Sequence, residues 1–93
     1  MTVGKLLVAN RGEIAIRVIR TLEELGYVPT GFTSSTAALA AFRADPLGFD
    51  AVITDERMPG MSGSALIREI RGIRGAIPIL LVSGYVSGEV AQR

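Results

Sequence analysis

Any chemistry in this 93-residue chain must be done with carboxylates, hydroxyls, lysine and arginine, because it holds no cysteine and no histidine. The missing histidine removes the commonest general base and the commonest transition-metal ligand. The missing cysteine excludes disulfides, thiolate nucleophiles and zinc–thiolate sites, and leaves the redox compartment undefined. Reactive groups remain in a few places. Asp55 stands in the stretch DAVITDERMPGMSG, residues 50–63, just ahead of Met58, Pro59 and Gly60. Taken alone, an aspartate before Pro-Gly is a turn-former. Ser83 follows the apolar run from Pro78 to Val82, and Asn10, Arg11 and Gly12 follow the run from Leu6 to Ala9, where chemistry would usually want acids. Gly12 at a helix start could cradle a phosphate on backbone N–H groups, and a tight strand-to-helix turn explains it equally well.

Residues 5–9 have strand length, and from Gly12 the apolar period becomes helical. Ile14, Ala15, Val18, Ile19, Leu22 and Leu25 fall on one stripe, with Arg17, Arg20, Glu23 and Glu24 facing away. Ile16 lies off the stripe with no intramolecular partner, and Gly26 suits a left-handed helix cap. Tyr27 to Phe32 reads as a second strand, with Pro29 and Gly31 favouring a sheet edge. Thr33, Ser34 and Ser35 offer caps for a helix over 37–43, which Asp45-Pro46 stops. Ala51 to Thr54 reads as the third strand, introduced by Phe49-Asp50. Ser62 caps a third helix carrying Leu66, Ile70 and Ile73, and Ile79 to Val82 forms the fourth strand. Ser87, Gly88, Glu89 and Val90 read as the first turn of a fourth helix cut short.

Strands alternating with helices predict an open α/β fold, a parallel sheet covered by helices on both faces. Reactive groups then gather at the carboxyl ends of the strands: Asn10 to Glu13, Ser34, Asp55 to Met58, and Ser83. Hydrophobic residues make up 48% of the chain and mean hydropathy is +0.40, which fits strands buried on both sides. No run approaches the roughly 18 apolar residues of a membrane span, and no signal peptide pattern opens the chain. A net charge of +1 with interspersed signs gives no footprint for nucleic acid or for an anionic membrane.

The stretch DAVITDERMPGMSG resembles the phosphoacceptor region of receiver domains of two-component response regulators. The likeness runs from about Tyr27 through GFTSSTAALAAF and IPILLVSGY, and is nearest to receivers attached to hybrid sensor kinases. It implies a flavodoxin-like sheet of four strands in the order 2-1-3-4, truncated before a fifth. It also implies roles: Asp55 as the phosphorylated aspartate, Arg57 lending a backbone carbonyl to magnesium, and Ser83 as the hydroxyl that hydrogen-bonds the phosphoryl group. Met58, Pro59 and Gly60 would shape the loop after the third strand.

The first 26 residues carry a second likeness. LLVANRGEIAIRVIRTLEELG is similar to the N-terminus of biotin carboxylase, where Ala9 to Ala15 would close the first strand of the domain preceding the ATP-grasp module. The two likenesses meet at Gly26-Tyr27, between a helix end and a strand start. Together they imply an engineered chimera: residues 1–26 from a biotin carboxylase, residues 27–93 from a receiver, folded as one domain, cytoplasmic by parentage and recombinant in origin.

The receiver likeness implies two acids at the end of the first strand, and their places fall on Ala9 and Asn10. Magnesium wants carboxylates and waters in octahedral array, so Asp55 beside a neutral Asn10 should hold it weakly at best. Glu13, one turn into a helix, points away from the strand end. The lysine that ends a receiver's fifth strand has no counterpart here, since Lys5 is the only lysine. At about 3.3 Å per residue it lies some 13 Å from the reactive end of its strand. The expectation is a fold without native catalytic activity, without a cofactor beyond a vestigial magnesium site. The alternatives are a working aspartate phosphoacceptor in a phosphorelay and a fragment that still binds nucleotide. An apolar fourth strand at the sheet edge further predicts a homodimer, by edge pairing or by exchange of the C-terminal segment, with Ile16 a secondary contact.

Overall fold

The computed structural model describes residues 4–83 and 89–92. In chain order the elements are β1 (Lys5–Ala9), α1 (Gly12–Glu24), β2 (Val28–Phe32), α2 (Ser35–Ala44), β3 (Ala51–Asp55), α3 (Gly63–Ile73), β4 (Ile79–Ser83) and β5 (Glu89–Gln92). The first four strands are parallel and lie in the order β2-β1-β3-β4, as the alternation of strands and helices predicts.

Strand alternation divides the sheet into two faces. Leu7, Ala9, Val52 and Ile79 join Ala38, Leu39 and Phe42 of α2 and Leu66 and Ile70 of α3 in the main core. Leu6 and Val8, also buried, point to the opposite face, and α1 packs chiefly on β2 and β1. There the backbone must come close, because a Cβ on Gly31 would sit 2.7 Å from Ile19 Cδ1. Ser34 and Ser62 cap α2 and α3 by accepting from Ala37 N at 3.2 Å and Ala65 N at 3.1 Å, as their places before the apolar stripes predict. Gly26, at φ +95°, closes α1 in the left-handed region.

The amino ends of the strands are tied by Asp50. Its Oδ2 accepts from Gly4 N at 3.0 Å and Lys5 N at 2.9 Å, and its own N–H donates to Lys5 O at 2.7 Å. The two backbone donors hold its carboxyl below the usual value of 3.8, helped by the charges of Arg74 and Lys5 and opposed by desolvation.

Two expectations are corrected. Ile14 and Leu25 belong to the helical stripe by spacing, yet they are 48% and 68% exposed, and Ala15 is the one buried residue of α1. The stripe meets the sheet only along its middle, where Ala15 is buried and Val18, Ile19 and Leu22 are half-buried. The second concerns Glu89 and Val90, expected in a helix. They begin β5, which runs antiparallel to β4 with Ser83 opposite Glu89 and Leu80 opposite Gln92. The unpaired N–H and C=O groups of β4 require partners, and an extended segment supplies a ladder that one helical turn cannot. The β4 edge is therefore paired within the chain and not open as expected; Ser87 and Gly88 lie outside the described residues.

Candidate functional site at the carboxyl rim

Asp55 closes β3 at the carboxyl rim of the sheet. Thr54 is registered with Ala9 and Asp55 with Val82, so the next residue on each side, Asn10 after β1 and Ser83 at the end of β4, flanks the aspartate. The sequence reading is thus met in placement: Asp55 and Ser83 end neighbouring strands, and Asn10 directly follows the third. Asp55 is half-buried, and its Oδ1 accepts from Arg57 N at 3.3 Å, the local turn that its position before Pro-Gly favours.

The chain after Asp55 is held from three sides. Glu56 N donates to Val82 O at 3.2 Å, and Gly63 N donates to Glu56 O at 3.0 Å. A Cβ on Gly63 would overlap the Asp55 carbonyl oxygen, so only glycine lets α3 begin this near the rim. Pro59 O accepts from Ser35 N at 3.0 Å, Gly60 turns with φ +94°, and Met58 and Met61 pack against the main core. Met58, Pro59 and Gly60 do shape the loop, by pinning it to the start of α2.

Sequence reasoning missed what Glu56 does. Its Oε1 accepts from Ser64 N at 2.8 Å and Ser64 Oγ at 2.7 Å, a carboxylate set on the amino end of α3. The pairing spans eight residues across a loop, a separation with no periodic signal. At the end of β1, Ala9 is fully buried within the main core. Asn10 is only 2% exposed; its N–H donates to Phe32 O at 3.1 Å and its Oδ1 accepts from Arg11 N at 2.8 Å. That bond fixes the amide's orientation and leaves Nδ2 buried without a hydrogen-bond partner. Glu13 is exposed in the first turn of α1, and Lys5 is exposed at the far end of β1. A cavity of about 240 Å³ lies along α1, lined by Arg17, Val18, Thr21 and Leu22 and by no residue of the rim.

An open parallel sheet in the order 2-1-3-4 with an aspartate ending its third strand defines a class of signalling fold. Residues 6–93 match the response regulator receiver domain, and the chain belongs to that family. It is 46% identical over 66 residues to the C4-dicarboxylate transport transcriptional regulatory protein DctD of Rhizobium meliloti, covering 71% of this chain and 14% of that protein. With the sensory transduction protein RegX3 of Mycobacterium tuberculosis it shares 33% over 78 residues, 84% of this chain and 33% of that one. The chain thus spans a third or less of the length of these relatives. Among solved structures, the chemotaxis response regulator CheY4 of Vibrio cholerae superposes with a TM-score of 0.77 at 30% identity, over 92% of this chain and 72% of that chain. The flavodoxin-like receiver fold is what the sequence led one to expect.

The side chains at the rim do not fit a magnesium ion. Among the described residues no three acidic side chains come together. Glu56 is engaged by Ser64, Ala9 has no ligating atom, and Asn10 turns its oxygen to Arg11 N and keeps a hydrogen-bond donor free. A buried N–H donor repels a cation that carboxylate oxygens would attract.

Proposed function

We propose that the chain is a non-enzymatic, cytoplasmic receiver module in which Asp55 does not act as a magnesium-dependent phosphoacceptor. One observation carries this reading: the positions beside Asp55 at the end of β1 are a buried alanine and a buried, neutral asparagine. A receiver accelerates transfer by positioning and by neutralising charge, and a lone carboxylate supplies neither to a phosphoryl donor. Incubation with acetyl phosphate and magnesium, followed by intact-mass spectrometry, tests it. The expected result is no added mass. A stoichiometric gain of one phosphoryl group, lost in Asp55→Asn, overturns the proposal and supports a second reading, an aspartate phosphoacceptor with Ser83 beside it and Arg57 offering its carbonyl. That reading is favoured by Asp55 standing at the rim between Asn10 and the end of β4.

The exposure of Ile14, Ile16 and Leu25 leads to a further proposal: residues 1–26 are an engineered graft from a biotin carboxylase, shaped for another sheet. A recombinant chain given the β1-α1 unit of an ordinary receiver should then be more stable to urea; equal stability argues against a graft. We also propose a homodimer. With β4 paired to β5 inside the chain, exchange of Glu89–Gln92 between two copies is the route that preserves every ladder bond. Light scattering should report twice the 9.8 kDa chain mass; a 9.8 kDa species at all concentrations refutes it.

A further inference from the structure

We propose that Met58 and Met61 form an oxidation-sensitive latch at the rim: a hydroperoxide converts them to sulfoxides, and the loop that carries them then lifts from α2. The chain holds no cysteine, so methionine is the one side chain left to it that peroxide oxidises reversibly. Of its three methionines, these two stand on either side of Pro59-Gly60, shortly after Asp55. Both are half-buried and packed against the main core. Each is therefore within reach of a small oxidant while it serves as apolar packing. The reaction balances within the pair of reactants. A sulfur lone pair attacks one peroxide oxygen, an S–O bond forms as the O–O bond breaks, and sulfur gives up two electrons. The departing hydroxide takes the proton from the new S–OH group and leaves as water.

The loop has little room to adapt in place. Ser35 N donates to Pro59 O at 3.0 Å, and Gly60 turns so close to α2 that a Cβ there would sit 2.9 Å from Thr36 Oγ1. Beyond the turn, Met61 leads directly into Ser62, whose hydroxyl caps α3. A sulfoxide carries an acceptor oxygen that needs a donor or water, and the cluster beneath the two methionines is built of apolar side chains such as Leu39, Phe42, Leu66 and Ile70. The oxidised side chains turn out to solvent, and the Ser35–Pro59 bond is lost with them. Asp55 feels the change through its own turn, because its Oδ1 accepts from Arg57 N, the residue next to Met58.

Hydrogen peroxide treatment of the full ¹⁵N-labelled chain tests the latch, read by peptide mass mapping, amide spectra and urea melts. Under native conditions Met58 and Met61 should each gain one oxygen, with amide shifts at Ser35, Asp55 and Arg57. The unfolding equilibrium constant should rise about tenfold per sulfoxide, the cost of a polar group set against apolar packing. Methionine sulfoxide reductases of both epimer specificities should return the parent spectrum. The double variant Met58→Leu, Met61→Leu keeps the apolar volume and should lose the response to peroxide. Oxidation that proceeds only as fast as global unfolding overturns the proposal, as does an oxidised chain whose Ser35 and Asp55 amides are unmoved. A double variant that responds to peroxide as the parent does overturns it too. Should that variant not fold, the parent's shifts before and after the reductases decide. No phosphoryl donor enters the experiment, so its outcome is independent of whether Asp55 accepts phosphate.

Discussion

Replacing Asn10 with aspartate should turn the rim into a metal-dependent structure. Ala9 is registered with Thr54, so residue 10 and Asp55 end adjacent strands on the same face of the sheet. Neighbouring strands are about 5 Å apart, and two carboxylates at that distance repel by about 3 kcal/mol at an effective dielectric of about 20. That corresponds to about 2 pKa units shared by the pair. Because the folded-state pKa is raised, the destabilisation is present at neutral pH and is relieved as pH falls through the raised value toward the ordinary carboxylate range. Against a stability of roughly 5–14 kcal/mol for a domain of this size, the variant should remain folded but clearly weakened. Magnesium, which two carboxylates can hold where one cannot, should restore most of the loss. Urea melts at pH 7 and pH 5, with and without magnesium, measure all of this. A variant as stable as the parent at both pH values and indifferent to magnesium would mean that residues 10 and 55 do not face each other.

Two other substitutions probe what positions the rim. Gly63→Ala forces a methyl group against the Asp55 carbonyl oxygen and should cost about 1–3 kcal/mol in denaturant melts, with amide shifts concentrated at Asp55 and Glu56; a silent substitution would show that α3 can retreat freely. Asp50→Asn should lower stability at neutral pH, because the lowered carboxyl pKa of Asp50 stabilises the fold above the unfolded value of 3.8 and ceases to do so as pH falls below it. The gap between variant and parent should therefore close in acid, and a gap independent of pH would assign the effect to lost geometry instead of charge.

Much of this protein is written in local patterns. The switch from apolar strand runs to helical periodicity defines the strands and helices in order, and Ser34 and Ser62 stand where their helices begin because a hydroxyl before an apolar stripe satisfies free N–H groups whatever the fold. Alternation then predicts a parallel sheet, which brings Asn10, Asp55 and Ser83 to one rim. What periodicity could not convey is how much surface lies beneath each element. The apolar stripe of α1 is real, but its burial depends on where the helix sits across the sheet, and Ile14 and Leu25 stay exposed. Glu89 and Val90 carry no strand pattern of their own; the open edge of β4 makes them a strand. The Asp50 clamp, the reach of Glu56 to Ser64 and the buried, half-satisfied amide of Asn10 likewise join residues by their positions in space. Sequence determined the elements and the membership of the rim through short-range chemistry, while the tertiary structure alone decided which polar groups find partners, because hydrogen bonds between distant segments exist only once the sheet has brought their ends together.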